Sequence, residues 1–471
     1  MEKALTYSNL SLEFPSKVLE IKSMKIIEEF NEHGIAKLEL LTIPEKDYRF
    51  IDNIRSLTNI KIAISMDGKV SGIFVGVMTN IEAKKTDEVY NVNLELKSKS
   101  FLMDVKLKRR SFQDEGLSYE KLFKKIASGY KGAIIYDNAS KGLPQGEAII
   151  QYDETDFMLI RRLASRLKTR LIVNVKADNP TISIGKLLGK EFYEETNFYT
   201  LTRENGEFLK AQLNYGGFKE EDKIHYKIKS LRNFEISDTV IYGKIAFKVY
   251  KKETNLEKGA IVFTYWLIKE NGLLMPPIIN HKILGASIDG KVIDVDVDRV
   301  KLHLSIDKEQ AVSRAKFYKC ETLYASEGET GFYSMPQIGD DVKLYIPNEY
   351  VEDAYVRVVN RLDGSENLKF KDPSVKYYGN VEKKEIMLSK HEFQVTSTNG
   401  LILINMDESE GIEITSSDDI LIECSEGANI SGKKIGIRAA NEILLATKSS
   451  SIIMDDNINL RAEDEVKVIK K

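Results

Sequence analysis

The C-terminal part of the chain carries short aliphatic repeats with a period of eight residues. From about Glu385 onward, aliphatic residues in an x-Ile-x-Ile pattern alternate with turns of Gly, Asp, Asn and Ser, and the phase slips near Gly427 to Gly432 and near Ser450. Short strands with a regular period are typical of a stacked or wound β architecture. The repeated positions are Ile404, Ile412, Ile414, Ile420, Ile422, Ile435, Ile437, Ile443, Leu445, Ile458, Leu460, Val466 and Val468.

One such repeat cannot form a stable unit by itself. Burying two aliphatic side chains releases less free energy than ordering eight backbone residues costs, so each strand needs neighbours on both edges and a shared apolar interior. A single chain coiled as a β-helix would complete only a few turns with both ends open. Three chains wound around one axis leave no free lateral edge. We therefore predict a trimeric β-helical needle (a β-prism) with the repeated positions in its core and trimer interface; the single-chain coil is the alternative.

The rest of the chain is mainly β with a few helices. Apolar and polar positions alternate around turn signals such as Asp67-Gly68, which predicts hairpins. A later all-β stretch has the size of a small five-stranded barrel. The predicted segments are a first hub barrel at 1–115, a helical and mixed hub segment at 116–182, a second hub barrel at 183–280, an OB-fold collar at 281–363, a polar linker at 364–380 and the needle at 381–471.

Two helices are predicted in the mixed segment. Ser118 is placed to cap the first helix, and Gly129 lies just past its end. The second helix runs from about Thr155 to Leu167, where leucine and isoleucine recur at helical spacing. Its start carries Asp153, Glu154 and Asp156, which suit the positive end of a helix dipole. We interpret these carboxylates as charges that cap and solvate the helix.

Charge and cysteine usage exclude some functions and suggest a place of synthesis. Lys+Arg (69) and Asp+Glu (72) nearly cancel, which argues against nucleic acid as the main partner. The start of the chain lacks a signal-peptide pattern, and the longest apolar stretch, 259–268, is too short to cross a bilayer and is predicted to be a strand. Cys320 and Cys424 lie in different predicted domains, so we expect no disulfide and synthesis in the cytoplasm.

No catalytic, cofactor-binding or metal-binding residue is predicted. The five histidines, which are far apart, form no metal-ligand spacing, and the sequence lacks nucleophile-elbow and HExxH motifs. Asp153, Glu154 and Asp156 lie together at one helix start. The two carboxylates of a glycoside-cleaving enzyme instead face each other across a cleft, so we do not predict a catalytic pair here. Aromatic residues in the collar can bind sugars or oligonucleotides in an OB fold, but we assign them to barrel interior and subunit packing. These are Phe317, Tyr318, Tyr324, Phe332, Tyr333 and Tyr345.

Three stretches of this sequence resemble the VgrG family of contractile-injection spikes and the hub-and-needle proteins of contractile phage tails. The first comprises Gly72 to Val77, Leu94 to Leu96 and Arg110-Ser111-Phe112-Gln113-Asp114, similar to the family's first barrel. The second, and most specific, is Gln151-Tyr152-Asp153-Glu154-Thr155-Asp156-Phe157, ending in Arg162-Leu163-Ala164. The third is Gly331 to Val342, similar to late strands of the family's OB collar.

The chain also departs from the family pattern. After Val342 it lacks the usual Gly-Asp-Pro-rich stretch, and Lys168-Thr169 replaces the expected Glu-Gly. The resemblance implies a homotrimeric, non-enzymatic spike that plugs an inner tube, organises a baseplate and punctures a target envelope, touching the target membrane only then. Implied partners are an Hcp-like tube protein, baseplate proteins, a PAAR-like tip protein and effector cargo. The resemblance does not distinguish between four kinds of machine: a secretion system, a phage tail, a bacteriocin and an extracellular injector.

Two rival functions and one tip contact complete the expectations. The rivals are a β-helical enzyme that acts on cell wall or polysaccharide, and a glycan-binding adhesin. The tip contact is expected at Val466, Val468 and Ile469, because three copies of these residues would form a blunt apolar face with open strand edges. The last histidine is His391, so a histidine-bound metal at the needle point is not expected.

Overall fold

The computed structural model describes residues 5–43, 58–66, 68–194, 199–217, 219–242, 244–321, 333–357, 369, 371–397 and 400–469. Strands dominate these residues, together with three α-helices, which agrees with the predicted fold class. The chain divides into two compact units, Met1–Arg361 and Leu362–Lys471. No helix among the described residues is both long and apolar enough to span a membrane. Asp67, Tyr324, Gly331, Phe332 and the start of the predicted linker lie outside the described residues.

The described residues of the first unit form twenty-two strands and three α-helices. Its strands are β1 (Leu10–Glu13), β2 (Lys17–Glu29), β3 (Ile35–Ile43), β4 (Asn59–Met66), β5 (Lys69–Thr86), β6 (Val89–Ser98), β7 (Lys108–Phe112), β8 (Ile134–Asp137), β9 (Ile149–Glu154), β10 (Leu171–Val173), β11 (Thr181–Ile184), β12 (Glu191–Tyr193), β13 (Tyr199–Arg203), β14 (Ile224–Ser230), β15 (Thr239–Tyr242), β16 (Ile245–Glu257), β17 (Ala260–Ile268), β18 (Ser287–Asp296), β19 (Arg299–Leu304), β20 (Phe317–Cys320), β21 (Asp341–Tyr345) and β22 (Tyr355–Arg357). Its helices are α1 (Tyr119–Ala127), α2 (Asp156–Arg166) and α3 (Asn205–Tyr215).

One twelve-stranded sheet joins the two segments that were predicted as separate hub barrels. Its main path runs β1-β4-β5-β6-β3-β2-β16-β17-β14-β13, and β2 pairs antiparallel with β16. Near β1 the chain also meets β17, because Ile261 N–H donates to Leu5 O (2.8 Å) and Tyr7 N–H donates to Gly259 O (3.0 Å). The two segments therefore share backbone hydrogen bonds, and their closure into two separate barrels stays a prediction.

The mixed segment packs α1 and α2 around an apolar core. Ser118 Oγ accepts a hydrogen bond from the backbone N–H of Lys121, and Thr155 Oγ1 accepts from that of Met158 (3.2 Å), so both predicted helix starts are confirmed. Leu122, Phe123 and Ile126 of α1 meet the apolar face of α2 in this core. The segment also contains the three-stranded sheet β10-β11-β8 and the β7–β9 pair.

Helix α3 is absent from the sequence prediction, which had only strands between 183 and 280. Of its residues only Ala211 is buried, and Leu209 and Leu213 face solvent. The pattern failed here because helical periodicity identifies a helix through its buried face, and this helix buries almost none.

Strands β18 to β22 form a closed five-stranded barrel in the order β18-β19-β20-β22-β21. Only β20 and β22 run parallel, and the other neighbours are antiparallel. Alternate residues fill the interior, among them Val300 and Leu302 of β19 and Leu344 of β21. A barrel of this size and closure is the architecture of the OB fold.

The second unit consists of two small antiparallel sheets. The first contains β23 (Lys376–Gly379), β24 (Glu385–Leu388), β25 (Glu392–Ser397), β26 (Ile402–Asp407) and β27 (Gly411–Ser416), paired in chain order. The second contains β28 (Ile443–Ala446), β29 (Ser450–Met454) and β30 (Ile458–Ala462). Residues 417–442 carry no strand.

Candidate assembly surface

The strand register brings the apolar residues of the first needle sheet onto one face. Side chains that face each other across antiparallel strands point to the same side of a sheet. One row of facing residues crosses all five strands as Tyr378, Ile386, Val395, Ile404 and Ile414. The next row contains Leu388, Phe393, Met406 and Ile412. We call these nine residues the apolar needle face.

This face is uncovered in a single chain. The exposed fraction is 71% for Ile412 and 56% for Ile414, and even Ile404, at the centre of the row, is 37% exposed. The opposite side of the same strands is mostly polar, with Gln394, Asn405 and Glu413 in one row. Contiguous exposed apolar surface rimmed by polar residues marks a site of protein association.

The second needle sheet repeats the arrangement. Ile443, Met454 and Ile458 form one row, and Leu445, Ile452 and Leu460 form the next. Both rows lie on the same side of the sheet, because their residues alternate with those of the other face. Seven of the predicted interface residues are thus brought onto apolar faces within their own sheets: Ile404, Ile412, Ile414, Ile443, Leu445, Ile458 and Leu460.

The remaining predicted interface and tip positions lie outside strands. They belong to residues 417–442 and 465–469, which carry no strand in the isolated chain, and they are exposed. The structure therefore does not group them with the apolar needle face. These positions are Ile420, Ile422, Ile435, Ile437, Val466, Val468 and Ile469.

Two of the three carboxylates at the start of α2, Glu154 and Asp156, are buried in ion pairs. Asp156 is fully buried, where it accepts from Arg110 Nη2 (2.7 Å), Tyr130 Oη (2.9 Å) and Gln151 Nε2 (2.9 Å) and also pairs with Lys108. Burial raises the pKa of the Tyr130 phenol, and the hydrogen bond to Asp156 raises it further. The interpretation of Asp156 as a solvated charge is therefore wrong.

Glu154 is buried as well, against Arg162 of the same motif. Arg162 Nε and Nη2 donate to the two carboxylate oxygens of Glu154 at 2.9 and 2.8 Å. Asp153 alone is partly exposed, where Arg109 binds it through two bonds of 2.8 and 2.7 Å and lowers the pKa of its carboxyl group. The three acids thus form separate ion pairs with fixed cations, and only Asp153 matches the expected solvated state.

Two of the five histidines, His33 and His225, are buried in the first unit. His33 is buried, with Nδ1 2.7 Å from Ser100 Oγ and Nε2 3.3 Å from Asp104 Oδ2. His225 is also buried, and its burial lowers the pKa of the ring. Within the ranges that the structure describes, no three His, Cys, Asp or Glu side chains are arranged to hold a metal ion.

The collar aromatics divide between interior and surface. Tyr318 is buried in the barrel, where burial raises the pKa of its phenol. Phe317 and Tyr345 are half-buried beneath cations, with Lys301 Nζ 4.4 Å from the Phe317 ring and the Arg357 guanidinium 4.0 Å from the Tyr345 ring. Tyr333 is exposed. The structure thus places Tyr318 in the barrel interior, as expected.

Solved structures have a fold similar to this one over most of the chain. The E. coli c3393 protein, described as a type VI secretion component with structural similarity to the T4 tail proteins gp27 and gp5, matches with TM-score 0.54 at 12% identity, over 74% of this chain and 98% of its own. The fold is that of a VgrG-type spike. A chain of the Francisella PdpA–VgrG complex matches with TM-score 0.52 at 9% identity, over 84% of this chain and 83% of its own.

These likenesses are visible in structure and not in sequence. Neither a protein-family model nor a curated protein matches the chain. The second of the three motifs falls on a well-packed part of this fold, where Thr155 caps α2 and Glu154, Asp156 and Arg162 form buried ion pairs.

Proposed function

We propose that this chain is the homotrimeric spike of a contractile injection machine. It plugs the inner tube, organises the baseplate and is driven through a target envelope. The observation that carries the proposal is the apolar needle face, which a single chain leaves open to solvent over five successive strands. Three copies that turn this face toward a common axis bury it and shield it from unspecific association.

The domains have distinct parts in this proposal. Residues 1–115, 116–182 and 183–280 form a hub that sits on an Hcp-like tube and contacts baseplate proteins. Residues 281–363 form the collar, 364–380 the linker and 381–471 the needle. Effector cargo is carried on the same assembly, which is put together in the cytoplasm and delivered by contraction.

The work in this proposal is mechanical and not catalytic. Two buried acids of the hub are paired with cations, Asp156 with Arg110 and Glu154 with Arg162, which favours a structural role for these two. The rivals predict different behaviour. A β-helical wall or polysaccharide hydrolase would be active as a monomer, and a glycan-binding adhesin would bind cells without a tube partner.

Solution mass tests the proposal directly. Light scattering of the full chain at micromolar concentration should give three times the mass of one chain, with slow subunit exchange. In Ile414→Asp, three charges meet at the axis, so the trimer should dissociate. The matched control Thr415→Asp changes the neighbouring residue on the other side of β27, and it should leave the mass unchanged. A monomeric wild-type chain contradicts the proposal.

A further inference from the structure

The twelve-stranded sheet of the hub ends in an unprotected strand. Strand β13 pairs with β14 on one side, and among the described residues no strand pairs with its other side. All five of its residues, Tyr199-Thr200-Leu201-Thr202-Arg203, are exposed. They favour β structure and include no proline, and the β13–β14 register contains no bulge to turn the edge away. An edge of this kind is a template for a further strand.

The hub core continues outward onto this edge. Tyr199 faces Ile228, which is buried in the core, and Leu201 faces Tyr226, which packs against the same core. Tyr199 and Leu201 therefore extend the apolar side of the sheet by one strand, yet they are 50% and 54% exposed. A row of core residues that ends in solvent lacks the neighbour that would cover it.

Helix α3 enlarges the same open area. It follows β13 after one residue and presents Leu209 and Leu213, four residues apart and therefore on one side of the helix, to solvent. Together, Tyr199, Leu201, Leu209 and Leu213 are four exposed apolar side chains on adjacent elements. We call them the β13–α3 patch.

The opposite end of the sheet does not need such a cover. Leu10 and Leu12 of β1 pack against the hub core, and the chain just before β1 is hydrogen-bonded to β17 through Leu5 and Tyr7. Of the two ends of the main strand path, only the β13 edge therefore lacks such a cover.

A second copy of the chain offers a matching strand. Strand β8 is the outer strand of the β10-β11-β8 sheet, and its Ile134 and Tyr136 are exposed on one face while Ile135 packs inward. Both edges thus present two apolar side chains at alternate positions. β8 has four residues and β13 five, so the two edges are similar in length.

The charges around the two edges are complementary. Residues 204–222 near the β13–α3 patch contain five acidic and two basic side chains, and Glu204, Glu207, Glu220 and Glu221 are exposed. Strand β8 is flanked by the exposed Lys131 and Lys141. Opposite charges at the rim favour this pairing over the pairing of two identical edges.

We propose that the β13 edge of one copy pairs with β8 of the next copy in the assembly, and that the β13–α3 patch packs against the neighbour's Ile134 and Tyr136. This inference rests on the proposed homotrimer, because the needle holds three copies at high local concentration. A contact between two different surfaces closes into a ring when a threefold axis relates the copies. Three identical contacts would then encircle the hub.

Photo-crosslinking in the full chain tests this pairing. The photoreactive residue p-benzoylphenylalanine replaces Leu201, and isotopically light and heavy chains are mixed before the assembly is irradiated. A crosslink between two copies can then be recognised because it joins a light peptide to a heavy one. The expected product joins position 201 to residues 130–142 of another copy. Position 188 is the matched control, since Leu188 is fully exposed but lies outside the patch, and it should give no such product.

The outcomes separate the two proposals. A trimer by mass that yields no link from position 201 to residues 130–142 of another copy overturns the β8–β13 pairing and leaves the spike proposal standing. A monomer overturns both. Hydrogen exchange, measured on chains without the crosslinker, is a second test. The outward-pointing amides of β13 should be protected in the wild-type trimer and should lose that protection in Ile414→Asp, where the trimer is dissociated. Rapid exchange of these amides in the wild-type trimer would also overturn the pairing.

Discussion

Ser111 donates two hydrogen bonds to the carboxylate of Asp307. Its backbone N–H lies 2.6 Å from Oδ1, and its hydroxyl donates to Oδ2. The contact joins β7 of the hub to the loop that follows β19 in the barrel, and Gln113 strengthens it by donating to Leu302 O at 3.1 Å. The motif Arg110-Ser111-Phe112-Gln113-Asp114 therefore has a physical role, which is to fasten the collar to the hub.

The first prediction follows from the burial of Asp307, which raises the pKa of its carboxyl group above the ordinary 3.8. An acid whose pKa is raised in the folded state stabilises that state below its unfolded pKa, and this stability is lost as the pH rises through the folded pKa. The isosteric Asp307→Asn removes the titration. The melting temperature of the wild type, relative to this variant, should therefore fall as the pH rises from 3 toward neutrality (roughly pH 7), as measured by calorimetry. A difference independent of pH would contradict the assignment.

The second prediction concerns Asp156. Asp156→Ala leaves Arg110 and Lys108 without their buried acceptor, and removing one partner of a buried ion pair costs about 3–5 kcal/mol. Glu120→Ala is the matched control, because Glu120 forms an exposed helical pair with Lys124, which is worth only ~0.3–0.5 kcal/mol. Chemical denaturation of the two variants gives the comparison. Equal losses would show that the Asp156 network contributes no more than a surface pair.

Local signals in the sequence identified much of the fold. Ser118 was predicted as a helix cap because the hydrogen bond that defines a cap spans only three residues, and the start of α2 near Thr155 was predicted from helical spacing. The repeat predicted that Ile404, Ile412 and Ile414 share an apolar face, because they are an even number of residues apart across a tight turn. The register pairs Ile404 with Ile414 and Ile412 with Met406.

Other features depend on pairs that are distant in the sequence. The burial of Asp156 was not predicted because its partners Arg110 and Lys108 come 46 and 48 residues before it in the sequence, on strand β7. By contrast, Ile386 and Val395 were missed because Ile386 to Val395 and Val395 to Ile404 are nine residues apart and not eight, and only the register of β23 to β26 shows that they and Tyr378 continue the row of Ile404. Pairing across a long separation leaves no periodic signal at either partner.

The third prediction compares two neighbouring residues of β28. Ile443 lies in the apolar rows of the second needle sheet, whereas Leu444 lies on the opposite face and is 54% exposed. In the proposed trimer, Ile443→Asp brings three charges together near the axis, which costs several kcal/mol per ion. Its needle transition should melt at a much lower temperature while the hub stays folded. Leu444→Asp should melt like the wild type, and equal behaviour of the two variants would place both side chains in solvent.

The fourth prediction uses the two native cysteines. Cys424 is exposed in the single chain but continues the alternation of Ile420 and Ile422, so three copies would turn it toward the axis. Burial raises the pKa of the Cys320 thiol to about 11, which leaves little reactive thiolate at neutral pH. Alkylation followed by mass spectrometry should be slow at both thiols in the trimer. In Ile443→Asp, Cys424 should react quickly and Cys320 should stay slow; rapid labelling of Cys424 in the wild-type trimer would contradict the inward orientation.

The fifth prediction concerns the far end of the needle, where Val466, Val468 and Ile469 are exposed in the single chain. Three copies of these residues form an apolar surface that a PAAR-like tip protein would cover, with strand edges and apolar contacts providing the affinity. Deleting residues 466–471, of which 470 and 471 lie outside the described residues, should abolish co-purification with the tip protein and leave the trimer intact by light scattering. Glu463→Ala is the matched control, because it changes an exposed charge before this segment and should keep the tip bound. A full-length trimer that is soluble alone, with no partner that depends on residues 466–471, would show that the end of the needle needs no cap.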